Sequence, residues 1–122
     1  MAWYAASVIM LFEYEDAVQD DFPVWENVYL VEAESEELAI DKAISFGKED
    51  EGNDSGSLTV NNRKARKVFQ GVRKLITVIN LNSDEDVPGD GAEVTFSDFL
   101  LKSKADLEKL VQGDPVQLSY ID

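Results

Sequence analysis

Six of the chain's eleven basic residues, Arg63, Lys64, Arg66, Lys67, Arg73 and Lys74, fall within twelve positions of an otherwise acidic chain. Guanidinium and ammonium groups at this density could hold a phosphate or carboxylate, or dock an acidic partner. The same residues could instead shield an exposed strand and balance the carboxylates beside them. On a strand, side chains alternate between faces, so Lys64 and Arg66 point away from Arg63 and Lys67. That split weakens a single anion patch and favours shielding.

Other groups offer less. Asn82, Asp84, Asp86 and Glu93 stand at the first, third, fifth and twelfth positions of a calcium loop. Val87 occupies the place where such a loop turns on glycine, and Pro88 stiffens its middle, so a solvated acidic loop is the better reading. The carboxylate pairs Glu13 with Glu15, and Glu32 with Glu34, could do acid–base work only if buried or poised, which nothing in the pattern suggests. Trp3, Tyr4, Trp25 and Tyr29 could form a stacking platform, although aromatics at strand spacing more often serve as core or subunit interface. Gly89-Asp90-Gly91 is a turn and not a nucleotide fingerprint. The chain has no His and no Cys. Zinc sites of the usual kind, Ser-His and Cys-His nucleophiles and disulfides are therefore ruled out. No catalytic residue, cofactor site or metal site is assigned.

The elements that position these groups are organised around Trp3 to Glu15, the most apolar run. Both of its alternating sets are largely apolar, which predicts a central strand covered on both faces. It is too short to span a membrane, and no basic residue precedes it as in a secretory signal. After an acidic connection over Asp16 to Pro23, Val24 to Ala33 reads as a second strand, antiparallel to the first. Ser35 caps a helix to Lys48, with Glu36 and Glu37 at its positive end. Ala39, Ile40, Ala43, Ile44 and Gly47 form its apolar face. Glu49 to Ser57 reads as a loop, and its Asn53-Asp54-Ser55 sequon is a chance match.

A short strand near Leu58–Val60, a turn at Asn61–Asn62 and a long strand from about Ala65 to Leu81 follow. Phe69 and Val72 are out of phase, and a bulge at Gln70–Gly71 would return them to one face. Asn82 to Ala92 is a loop, and Glu93 to Leu101 a short strand or amphipathic turn. Ser103 caps a second helix, with Asp106 at the capping-box position, that ends at Gln112 before Gly113 and Pro115. Val116 to Ile121 reads as an edge strand or tail.

Trp3-Tyr4 enters a strand that ends Leu11-Phe12-Glu13; Trp25-Glu26-Asn27-Val28-Tyr29-Leu30-Val31 leads into Ala33-Glu34-Ser35-Glu36-Glu37-Leu38-Ala39; Lys67-Val68-Phe69-Gln70-Gly71-Val72 and Gly91-Ala92-Glu93-Val94 follow. Together these stretches resemble the small bacterial proteins of domain-of-unknown-function family 4288. The resemblance covers most of Trp3 to Leu101, and the tail from Ser103 is longer than the family leads one to expect. It implies one α+β domain and no activity that can be carried over to particular residues.

The expectation is a single α+β domain over residues 1–122, with its core at 3–101 and a C-terminal helix and tail at 102–122. A mainly antiparallel four- or five-stranded sheet carries one helix on a face, with a short C-terminal helix besides. A formal charge of −14 opposes nucleic-acid and anionic-membrane binding. It suits a non-enzymatic cytoplasmic binding protein that pairs with itself or a basic protein, such as an acidic inhibitor. Two alternatives stay open: a small enzyme or binding domain for an anionic metabolite that uses the basic strand, and a purely structural homodimer.

Overall fold

A computed structural model describes residues 1–52, 58–79 and 87–121. The element order is β1 (Ala2–Tyr14), β2 (Val24–Ala33), α1 (Glu36–Glu51), β3 (Thr59–Val60), β4 (Arg63–Val78), β5 (Phe99–Leu100), α2 (Lys104–Gln112) and β6 (Ser119–Tyr120). Four strands form an antiparallel sheet in the order β2-β1-β4-β3, and β5 pairs with β6 in a separate ribbon. The apolar N-terminal run is thus an interior strand, as its two-sided composition predicts.

β1 directs its even-numbered side chains to one face and its odd-numbered ones to the other. Tyr4, Ala6, Val8 and Met10 are buried under α1 with Ala39 and Ala43, alongside Val31 and Ala33 of β2. The helix approaches through a stripe of small residues, Ala39, Ala43 and Gly47, spaced four apart. A Cβ placed on Gly47 would lie 2.7 Å from Phe69 Cε1 and 3.0 Å from Val8 Cγ1, so this close contact needs glycine. The small stripe, not the whole predicted face, makes the contact: Ile40 lies one position round the helix and is exposed. Ser35 Oγ accepts the Leu38 amide as the expected N-cap, and the helix runs to Glu51, beyond the predicted end at Lys48.

β4 carries two irregularities against β1, one skipping Arg73 and one skipping Gln70. Met10 faces Phe69 and Val8 faces Val72, so the bulge beside Gly71 does return both apolar side chains to the helix side. Asn61 and Asn62 both have positive φ, at 54° and 63°, in the two-residue turn joining β3 to β4. β4 begins at Arg63 and ends at Val78, short of the predicted Leu81. Residues 80–86 lie outside the described residues, with Asn82, Asp84 and Asp86 of the acidic loop among them. The Asn53-Asp54-Ser55 sequon also lies outside.

Of the stretch 93–101, read as a short strand or amphipathic turn, Phe99–Leu100 is strand, bonded to Ser119–Tyr120. α2 has the predicted caps, Ser103 in front and left-handed Gly113 behind, but buries none of its residues. Among the described residues no helix is long and apolar enough to cross a membrane.

Candidate interaction surface

The structure pairs Arg63, Arg66, Lys67 and Arg73 with separate carboxylates of the chain itself, sets Lys74 on a backbone carbonyl, and leaves Lys64 exposed opposite Thr59. Arg63, at the start of β4, donates to Asp16 Oδ1 and Asp20 Oδ1, each at 2.8 Å, and to the Val18 carbonyl at 2.6 Å. Its guanidinium lies 3.6 Å from the centre of the Tyr14 ring. This arginine clamps the β1–β2 connection, and it holds the Asp16 and Asp20 carboxyls below their ordinary range. The Tyr14 hydroxyl donates to Asp21 at 2.5 Å; that bond is the main cause of the raised Tyr14 phenol pKa.

Arg66 pairs with Glu13 on the neighbouring strand, and that carboxylate raises its pKa. Lys67 bonds Asp50 of α1 at 3.1 Å, where both side chains are largely buried. Arg73 bonds Glu26 of β2 at 3.2 Å and lies 3.9 Å from the Tyr120 ring centre. Lys74 donates to the Phe96 carbonyl and lies 5.5 Å from that ring.

The register divides the cluster as alternation requires. Arg66 opposes Glu13 and Lys74 opposes Ser7, on the face away from α1, whereas Lys67 opposes Phe12 on the helix side. Among the described residues, open surface depressions are lined by residues other than those of the basic cluster. One, of about 480 Å³, lies between α2 and the C-terminal strand. Another, of about 280 Å³, lies between α1 and the end of β2. Neither Arg66 nor Arg73 lines these depressions.

The four candidate aromatics do not share one platform. Tyr4 is core, and Tyr29 is half-buried with its ring 5.6 Å from that of Phe46. Burial raises the Tyr29 phenol pKa. Trp25 meets Phe12 edge-on at 4.9 Å, yet remains 55% exposed. Trp3 lies on the other face, opposite Glu32 and Val78. Among the described residues no group of three or more carboxylates is placed to hold a metal ion.

With Arg63, Arg66, Lys67, Arg73 and Lys74 engaged, much of the remaining acid lies on β2 and α1. From Val24 to Glu51, the β2–α1 unit carries nine carboxylates; with Glu26 and Asp50 taken up by Arg73 and Lys67, seven remain against two lysines, a net of −5. Exposed apolar side chains accompany them: Val24, Val28 and Leu30 on one side of β2, and Trp25 on the other with Leu38 and Phe46 of α1. Sequence reasoning found these residues as strand and helix but not as a surface. Their exposure follows from the place of β2 at the end of the sheet.

The family model for a domain of unknown function, DUF4288, matches residues 3–95. The chain belongs to that family. The match spans the four-stranded sheet and α1 and stops before β5, α2 and β6. No curated protein and no solved structure matches the chain.

Proposed function

We propose that this DUF4288 protein is a non-enzymatic binding protein whose partner is a basic protein. The observation that carries this reading is the disposition of charge. Arg63, Arg66, Lys67 and Arg73 are held by carboxylates of the chain itself, and Lys74 by a backbone carbonyl. The surplus acid stands on β2 and α1, interspersed with exposed apolar side chains. Such a surface steers a cationic protein by long-range attraction and offers apolar area once contact is made.

The test is affinity capture from the native host at low salt. The wild-type chain is compared with a Glu36→Lys/Glu37→Lys/Asp41→Lys variant, and binding of the purified partner is then measured. A basic protein held by the wild type, weakened at least ten-fold in the variant and by added salt, supports the proposal. Recovery of no basic protein at low salt, or a partner indifferent to both salt and charge reversal, contradicts it.

A further inference from the structure

The backbone of β2 has one side bonded to β1 and one side open, and the ladder's phase tells which groups are open. The Phe12 amide donates to the Pro23 carbonyl at 2.9 Å, one residue beyond the Leu11–Val24 pair. Hydrogen-bonded and non-bonded pairs alternate along an antiparallel ladder. Even-numbered residues of β1 therefore exchange bonds with odd-numbered residues of β2. The amides and carbonyls of Val24, Glu26, Val28, Leu30 and Glu32 point the other way, out of the sheet. The Glu32 carbonyl confirms the phase, because it accepts Lys42 Nζ at 2.6 Å from outside the sheet. Among the described residues nothing bonds the outward backbone groups of Val24, Glu26, Val28 or Leu30.

The opposite side of the sheet is treated differently. There β4 is covered at its start by β3, broken by two bulges and lined with cations. Its Phe69 amide is taken by Glu51 Oε2 at 2.8 Å. Bulges, lysines and capping groups are the usual means by which proteins prevent a sheet edge from pairing. β2 has an unbroken register, with no proline or lysine within it. Exposed apolar side chains flank it above and below: Val28 and Leu30 are 43% and 45% exposed, and Trp25, Leu38 and Phe46 stand on the helix side.

We infer that the open edge of β2 is a docking strand, on which an extended basic segment of the protein partner adds to the sheet beside Val24–Leu30. This rests on the proposed binding of a basic protein and gives that protein a mode of attachment. Backbone bonds supply the register, and apolar side chains on alternate positions meet the exposed residues of β2 and α1. Charge selects the occupant. A second copy would set a unit of net −5 against another of −5, whereas a lysine- or arginine-bearing segment complements it.

The probes are an eight-residue peptide alternating valine and lysine and its valine–glutamate counterpart, titrated against the full chain. The lysine peptide should bind at least ten-fold more tightly and slow amide exchange at Val24, Glu26, Val28 and Leu30. Val28→Pro removes an outward amide and leaves the bonds to β1 in place, and should weaken binding at least ten-fold. Val28→Lys, which keeps the backbone and adds a like charge, should do the same and guards against a proline variant that fails to fold. Lysine-peptide binding that is unchanged in both variants overturns the edge assignment and leaves the basic-partner reading standing. Equal binding of the two peptides overturns both. A dimer in light scattering that the Val28 variants dissociate gives the edge to a second copy and overturns the inference.

Discussion

Gly47 decides how closely α1 lies on the sheet, and Gly47→Ala sets two calculable effects against each other. At an exposed helix position, alanine in place of glycine stabilises by about 1 kcal/mol. Here the new Cβ would stand 2.7 Å from Phe69 Cε1 and 3.0 Å from Val8 Cγ1. Carbon atoms sit comfortably at about 3.5–4.0 Å, so the Phe69 ring must withdraw by roughly 1 Å. Val8 is fully buried and has nowhere to go. Overpacking of this kind costs about 1–3 kcal/mol, and a contact this short belongs in the upper part of that range. The balance is a loss of about 1–2 kcal/mol, which for a domain of this size lowers the melting temperature by roughly 5–10 °C. Urea unfolding followed by the fluorescence of Trp3 and Trp25, with a thermal melt, measures it. In a Phe69→Leu background the ring is gone, and Gly47→Ala should become neutral or stabilising, a non-additivity expected of residues in contact. A gain of about 1 kcal/mol from Gly47→Ala alone would refute the reasoning, because it would place the helix clear of β1 and β4.

Three further outcomes follow from the core and the arginine clamp. Met10 is fully buried between α1 and the sheet, so Met10→Ala should cost about 2–5 kcal/mol, while Val111→Ala on exposed α2 should stay within about 0.5 kcal/mol in the same denaturation assay. The Ser7 hydroxyl is buried with no hydrogen-bond partner, so Ser7→Ala should stabilise the protein by about 1 kcal/mol; a clear loss would reveal a bond to that oxygen. Asp16 and Asp20 have folded pKa values below the ordinary 3.8 because Arg63 favours their charged forms. Their contribution is therefore complete above that value and is lost as pH falls through the depressed folded values. The stability difference between wild type and Arg63→Gln should be constant near neutrality and shrink below pH 3.8; a difference that holds unchanged in strong acid would argue against the clamp.

The parts of the fold that were legible in the sequence are those where one signal has one structural meaning. β2 runs from Val24 to Ala33 as read, because Pro23 and the acidic connection bound it on one side and the Ser35 cap on the other. The bulge beside Gly71 was legible because Phe69 and Val72 could not otherwise share the core. Ile40 was misplaced because hydropathy counts an isoleucine as core, whereas contact with the sheet is made through the smallest residues, Ala39, Ala43 and Gly47. The stretches 93–101 and 116–121 read as strand or turn and as strand or tail because β5 and β6 are two residues each, defined only by pairing with the other, a tertiary fact with no local signal. The fate of the cations was half legible. Alternation split Arg66 from Lys67, but the acids that hold Arg63, Lys67 and Arg73 come from the β1–β2 connection, α1 and β2, distant in sequence. The open edge could not be read at all, since it depends on the strand order and on the phase of one ladder.

Amide hydrogen exchange along β2 in the full chain without partner tests the account most directly. The amides of Trp25, Asn27, Tyr29 and Val31 point to β1 and should exchange slowly. Those of Glu26, Val28 and Leu30 point outward and should exchange fast, so that protection alternates residue by residue. Uniform protection from Val24 to Val31 would contradict the account, because it would mean that the edge proposed to receive a partner is already covered.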